Sequence, residues 1–167
     1  MGELADRVQA MRVRASTPDG MMTAELRNGS EVALSLVPGW YDNCHESDLE
    51  RQLTRLGSLL WGARTREYWA TVSNTTGEHV AGEDRPISPR DVEFTEARET
   101  VVARGRSTDG HVTLSVEGMR RWTVTIAPGT VRGLSERDFV NAVRQSASGL
   151  IQDQLAQITA LKYRIYG

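Results

Sequence analysis

Two stretches of the chain decide the fold: RASTPDGMMTAELRNGSEVALSLVPGW at residues 14–40 and RGRSTDGHVTLSVEGMRRWTVTIAPGT at residues 104–130. Placed on each other without a gap, they keep the same order of apolar and polar residues. They also share their turn residues, which are the Asp-Gly pairs at 19–20 and 109–110 and the Pro-Gly pairs at 38–39 and 128–129. Chance would not readily keep strands and turns in one ungapped register. We therefore predict a duplication of residues 14–68 as residues 104–158.

Alternating apolar residues within each copy predict β-strands that bury one face. The alternating positions are Met22, Ala24, Leu26, Val32, Leu34 and Leu36 in the first copy and Val112, Leu114, Val116, Trp122, Val124 and Ile126 in the second. Asn28-Gly29 predicts a tight hairpin turn, and Gly118 marks its counterpart. A further strand, at about 11–17 and 100–107, precedes each Asp-Gly turn. We therefore predict that each copy forms a three-stranded antiparallel meander.

Apolar residues at spacings of three and four predict a long helix after each meander. The stripe is Leu49, Leu53, Leu56 and Leu60 in the first copy and Phe139, Val143, Leu150 and Ile151 in the second. Ser47 with Glu50 fits a capping box at the start of the first helix. We predict an α+β fold with two tandem copies of a three-stranded antiparallel β-meander followed by a long α-helix, together forming an intramolecular pseudo-dimer.

The composition of the chain predicts two units joined by a linker, and its charge bears on the functions that it could have. We assign 1–72 to the first unit, the polar, breaker-rich 73–90 to a linker and 91–167 to the second unit. The net charge is −2, which gives no overall basic footprint for nucleic acid. The sequence shows neither a membrane span nor a signal peptide, so we expect a cytoplasmic protein.

No set of residues predicts catalysis. Cys44-His45-Glu46 is the one segment that resembles a nucleophile or metal site, but no second His or Cys lies nearby in sequence. Roles in the loop and at the start of the helix explain these residues better. The glycines form no phosphate-binding loop. We therefore expect no enzyme activity, no cofactor and no metal.

Two groups of residues are candidates for binding. Paired arginines on the first strand of each copy could form a basic stripe that contacts DNA phosphates. They are Arg12, Arg14, Arg104 and Arg106. Aromatic residues of the first copy could instead hold an apolar helix of a partner. They are Trp40, Tyr41, Trp61, Tyr68 and Trp69.

The unit of strand, hairpin and long helix, with Asp-Gly before its second strand and a Ser/Glu/Asp-rich start of the helix, resembles the YbaB/EbfC family. The resemblance covers both copies. Members of that family are small nucleoid-associated proteins that dimerise and bind DNA, so the resemblance implies that this chain binds DNA. The first copy, from Val13 to Trp69, most resembles a divergent actinobacterial branch associated with type VII (ESX) secretion.

Two functions follow from the resemblance. The first is a protein-binding accessory factor, a type VII secretion chaperone whose client is a secreted helical protein. The alternative is a nucleoid-associated DNA-binding protein. The sequence leaves self-association open.

Overall fold

The computed structural model describes residues 2–77, the first half of the chain, and residues 88–167, the second half. The first half contains α1 (Glu3–Gln9), β1 (Arg12–Ser16), β2 (Met22–Arg27), β3 (Glu31–Leu36), a 3-10 turn (Tyr41–Asn43) and α2 (Glu46–Thr76). The second half contains α3 (Pro89–Glu99), β4 (Val102–Arg106), β5 (Val112–Glu117), β6 (Arg121–Ile126), α4 (Thr130–Gly133) and α5 (Glu136–Tyr166). Of the predicted linker at 73–90, residues 78–87 lie outside the described residues.

Each half forms its own antiparallel three-stranded sheet, in the orders β1-β2-β3 and β4-β5-β6. The predicted hairpin turns are confirmed. Asn28 and Gly29 both have positive φ, at 52° and 81°, and so do Gly118 and Met119, at 60° and 57°. Two consecutive residues with positive φ are typical of the type I′ turn, whose twist matches that of the paired strands.

The predicted fold class is wrong in its arrangement, although the structure is α+β. The chain does not follow a tandem order of meander and then helix, because α1 precedes the first sheet and α3 precedes the second. The two sheets are also separate, with the long helix α2 between them in the chain order. Along the chain, each sheet is therefore preceded by a short helix and followed by a long one. The short α1 packs on α2 and the short α3 packs on α5.

The sequence offset of 90 residues is nevertheless kept in the structure. The strands β1 and β4 start at Arg12 and Val102, and the helices α2 and α5 start at Glu46 and Glu136. The helix start differs from the predicted capping box at Ser47 and Glu50. Helix α2 begins after His45, whose backbone N–H donates to Asp48 at 3.0 Å. Asp48 therefore accepts the capping hydrogen bond, and Glu50 takes no part in the cap.

One hydrophobic core joins the two halves. Helix α2 packs on β1 and β2 of its own sheet and on β6 of the other, whereas α5 packs on β4, β5 and β3. The core encloses a cavity of about 70 Å³ lined by residues of both sheets and both long helices. The Trp122 ring of β6 presses on Gly57 of α2, where an added Cβ would lie 3.0 Å from the ring. None of the described helices is long and apolar enough to cross a bilayer.

The long helices also hydrogen-bond the edge strand of the opposite sheet. On α2, the Glu50 carboxylate accepts from the Ile126 N–H of β6 at 2.9 Å. On α5, Arg144 Nε donates to the Val32 carbonyl of β3 at 3.0 Å. The Ser148 hydroxyl donates to the nearby carbonyl of Ser30 at 2.8 Å. Each helix thus satisfies backbone groups that an uncovered sheet edge would leave unpaired.

A helix approaches a sheet very closely in the second half. A Cβ added to Gly105 of β4 would lie 1.8 Å from the Ser146 carbonyl oxygen of α5 and 2.6 Å from the Leu150 nitrogen. Gly149 faces the same strand, but its added Cβ would meet only the Gly105 Cα, at an ordinary 3.8 Å. In the first half, the positions equivalent to Gly105 and Gly149 are Ala15 and Leu59.

Gly105→Ala is therefore expected to destabilise the protein by about 3 kcal/mol or more, because backbone must move to admit the methyl group. Gly149→Ala is the matched control, since it adds the same methyl group to the same contact. It is expected to be neutral or to stabilise by roughly 0.5–1 kcal/mol through helix propensity. Denaturant unfolding monitored by circular dichroism measures both changes. Equal stability of the two variants would contradict the packing described.

Candidate functional site

The Cys44-His45-Glu46 segment contacts the preceding loop, the first turn of α2 and the second half of the chain. The Cys44 thiol lies 3.2 Å from the Trp40 carbonyl oxygen, and burial raises the pKa of this thiol. His45 precedes the first residue of α2, and Glu46 accepts from the Gly129 N–H at 2.9 Å. Among residues 2–77 and 88–167, no group of three His, Cys, Asp or Glu side chains could hold a metal.

The five aromatic residues predicted to bind a partner do not form one surface. Trp40 and Tyr41 lie at the 3-10 turn before α2, whereas Trp61, Tyr68 and Trp69 lie in the second half of α2. A helix rises about 1.5 Å per residue, which places Trp61 about 22 Å along the axis from Glu46. The structure therefore separates the predicted site into two candidate regions.

Tyr41 is an internal anchor, because its side chain is only 1% exposed. Its hydroxyl lies 3.0 Å from the Leu134 carbonyl oxygen and 3.3 Å from that of Thr130, and its ring centroid lies 5.0 Å from that of Phe139. Burial, with Glu46 and other nearby acidic groups, raises the pKa of Tyr41 to about 12. Tyr41 thus joins the first half to α4 and α5 and has almost no surface to offer a partner.

Trp40 lies at one end of a groove along the first half of α2. The groove has a volume of about 770 Å³. The residues of α2 that line it include the exposed Arg51 and Arg55 and the 37%-exposed Leu59. Arg51 is already paired with Asp48 at 2.5 Å. The groove is therefore open and mixed in polarity, with little continuous apolar surface.

The second region is a row of four side chains on α2, which we name the aromatic ladder: Trp61, Arg64, Tyr68 and Trp69. Trp61, Arg64 and Tyr68 follow a spacing of three and four residues and so lie on one side of the helix. The Tyr68 and Trp69 rings meet edge to face with centroids 5.0 Å apart. All four side chains are partly buried and partly accessible. The ladder is the largest group of aromatic side chains on α2 that keeps accessible surface.

Arg64 is the member of the ladder that sequence reasoning missed. Its guanidinium carbon lies 4.9 Å from the centroid of the Trp61 ring and 5.2 Å from that of the Tyr68 ring. Within the described residues, no acidic side chain forms an ion pair with it. Desolvation by burial lowers its pKa. In the sequence, Arg64 is one of several arginines on the helix, and the spacing of Trp61 and Tyr68 around it was the available signal.

Helix α5 has no such ladder at the equivalent positions. The equivalent positions of α5 hold Ile151, Gln154, Ile158 and Thr159. Gln154, the counterpart of Arg64, is 6% exposed, and its Oε1 has no hydrogen-bond partner among the described residues. The two copies have therefore diverged at these positions, where one carries a cation between aromatic rings and the other carries a neutral amide.

The four candidate DNA-contacting arginines lie on edge strands. Their side chains are exposed, and in the described part of the chain they make no ion pair. Arg12 lies opposite Arg27 in the β1–β2 register, whereas Arg104 and Arg106 lie opposite Ser115 and Thr113. The structure thus places one pair of arginines on each sheet.

Comparison of the chain with family models, curated proteins and solved structures gave no match. The resemblance to YbaB/EbfC proteins stays a prediction from the sequence pattern.

Proposed function

We propose that this chain is a non-catalytic protein-binding factor that holds a helical segment of a client on its aromatic ladder. The observation that carries the proposal is the ladder itself, a partly accessible row of Trp61, Arg64, Tyr68 and Trp69 that has no equivalent at the matching positions of α5. In keeping with the resemblance to the type VII branch, the proposed role is that of a secretion accessory factor or chaperone in the cytoplasm.

The chemistry of the ladder suits a protein partner. Trp, Tyr and Arg are the residue types that contribute most to binding energy in protein interfaces. Their large rings bury apolar area with few rotatable bonds, so ordering them on binding costs little conformational entropy. The ladder follows the axis of α2 over more than two turns, a length suited to a partner helix packed alongside it.

The test uses paired substitutions at equivalent positions of the two long helices. Tyr68→Ala combined with Trp69→Ala removes the aromatic pair at one end of the ladder, and Ile158→Ala combined with Thr159→Ala is the matched control on α5. The probes are helical proteins encoded beside this chain's gene, co-expressed with it and then titrated by calorimetry. We expect the α2 variant to bind at least about tenfold more weakly and the α5 variant to bind as the unchanged protein does.

Two results would contradict the proposal. One is the absence of binding to any of these helical proteins. The other is an equal loss of affinity in both paired variants, which would indicate a general effect on folding. Thermal unfolding of each variant separates that effect from a loss of contact.

A second candidate function is DNA binding by the strand arginines. The observation in its favour is that Arg12, Arg14, Arg104 and Arg106 are all exposed and lack ion pairs within the described residues. An unpaired guanidinium can neutralise a phosphate without first breaking an internal contact.

For this function, we expect a mobility shift of duplex DNA at low salt and a steep fall in affinity as salt rises. Replacing the four arginines with glutamine should abolish the shift. The control replaces four arginines that already have ion-pair partners and so changes the net charge equally: Arg7, Arg51, Arg120 and Arg121. No shift of the unchanged protein at tens of micromolar would exclude this function, because non-specific binders reach dissociation constants of about 10⁻⁴–10⁻⁶ M even at physiological salt.

A further inference from the structure

Arg64 lies between two aromatic rings on α2. Its guanidinium lies near the rings of Trp61 and Tyr68, with the carbon 4.9 Å and 5.2 Å from their centroids. Cation–π contacts of this kind attract the charge to the ring face and leave the N–H groups at the guanidinium edge available. No hydrogen bond from these groups is present within the described residues, so the donors have no partner in this part of the chain.

Arg64 also has no ion-pair partner among the residues that the structure describes. Partial burial lowers the pKa of the guanidinium, because it removes water from around the charge. A buried or half-buried charge is normally paired, because losing water costs free energy that only an opposite charge or hydrogen bonds recover. Glu67 lies one helical turn away but makes no ion pair with Arg64 among the described contacts.

We propose that Arg64 is the specificity-determining residue of the ladder and pairs with an aspartate or glutamate side chain of the client helix. This inference rests on the proposed function. A planar carboxylate matches the two parallel N–H donors of a guanidinium and can accept both. A carboxylate bound there would supply the negative charge that pairs with Arg64. Trp61, Tyr68 and Trp69 would contact the apolar residues of the client around that carboxylate.

The flanking surface favours a protein carboxylate over a nucleic-acid phosphate. A phosphate backbone is read by several separated cations, whereas this site offers one cation between aromatic rings. The next arginine along the helix, Arg66, lies two residues away and so projects from a different side of α2. An acidic residue within an otherwise apolar helix face is the ligand that matches one cation among rings.

The second copy supplies an internal reference for Arg64. The equivalent residue is Gln154, which has the same backbone position on its helix and no charge. Arg64→Gln therefore gives the first copy the residue that the second copy already has. Arg64→Lys keeps the charge and removes the planar pair of donors.

The experiment selects binders from a display library of two-helix hairpins whose exposed helix face is randomised. The unchanged protein, Arg64→Gln, Arg64→Lys and the Tyr68→Ala/Trp69→Ala variant are used as parallel targets. Circular dichroism first confirms that each target is folded. We expect binders of the unchanged protein to be enriched in aspartate or glutamate at one position, flanked by apolar residues, and this enrichment to vanish with Arg64→Gln.

Individual selected hairpins then give the magnitude of the effect. Replacing the enriched acid by its amide should weaken binding to the unchanged protein about tenfold and have little effect on binding to Arg64→Gln. Arg64→Lys should give an intermediate loss, because a point charge replaces the bidentate contact.

The outcomes separate this inference from the proposed function. Selected binders that depend on Tyr68 and Trp69 but show no acidic preference, or the same preference with Arg64→Gln, would overturn the role of Arg64 and leave the binding surface in place. Failure to select any hairpin that prefers the unchanged protein over the Tyr68→Ala/Trp69→Ala variant would overturn both.

Discussion

The contact between each long helix and the edge strand of the opposite sheet is the constraint on which the rest of the structure depends. A three-stranded sheet has two edges, and the outer backbone groups of β3 and β6 need partners. Helix α2 supplies Glu50 to β6, and helix α5 supplies Arg144 and Ser148 to β3. Removing either helix would expose both a strand edge and the apolar face of a sheet. The two sheets are thus held in one body although no strand joins them.

The two copies differ in how their long helices pack on the sheets. In the second half, Gly105 lets β4 contact the backbone of α5 closely, and helix α5 buries more residues than α2 does. In the first half, Ala15 and Leu59 replace the two glycines of that contact. Helix α2 buries Leu49, Leu53, Leu56 and Leu60 and then continues into the aromatic ladder. One copy is packed more tightly, and the other keeps accessible aromatic surface.

Local features of the fold could be predicted from the sequence, but contacts between the halves could not. The turn at Asn28-Gly29 is encoded by residues that tolerate positive φ, so a short stretch was sufficient. The partners of Glu50 and Tyr41 lie in the other half of the chain, and no periodicity reveals such pairs. Tyr41 follows a Pro-Gly turn and therefore resembles an exposed loop aromatic, but Phe139 and two carbonyl groups bury it. For the same reason, the sequence indicated the aromatic residues of the ladder but not that Arg64 lies between two of their rings.

Native-state hydrogen exchange of the whole chain, measured by mass spectrometry at increasing denaturant, tests most directly whether the two halves form one body. If each helix completes the opposite sheet, the central strands β2 and β5 should become exposed together. Their slowest amides should then show the same free energy of opening and the same dependence on denaturant. Opening of β1–β3 at a clearly lower free energy, while β4–β6 stays protected, would contradict this account and show that the halves are stable independently.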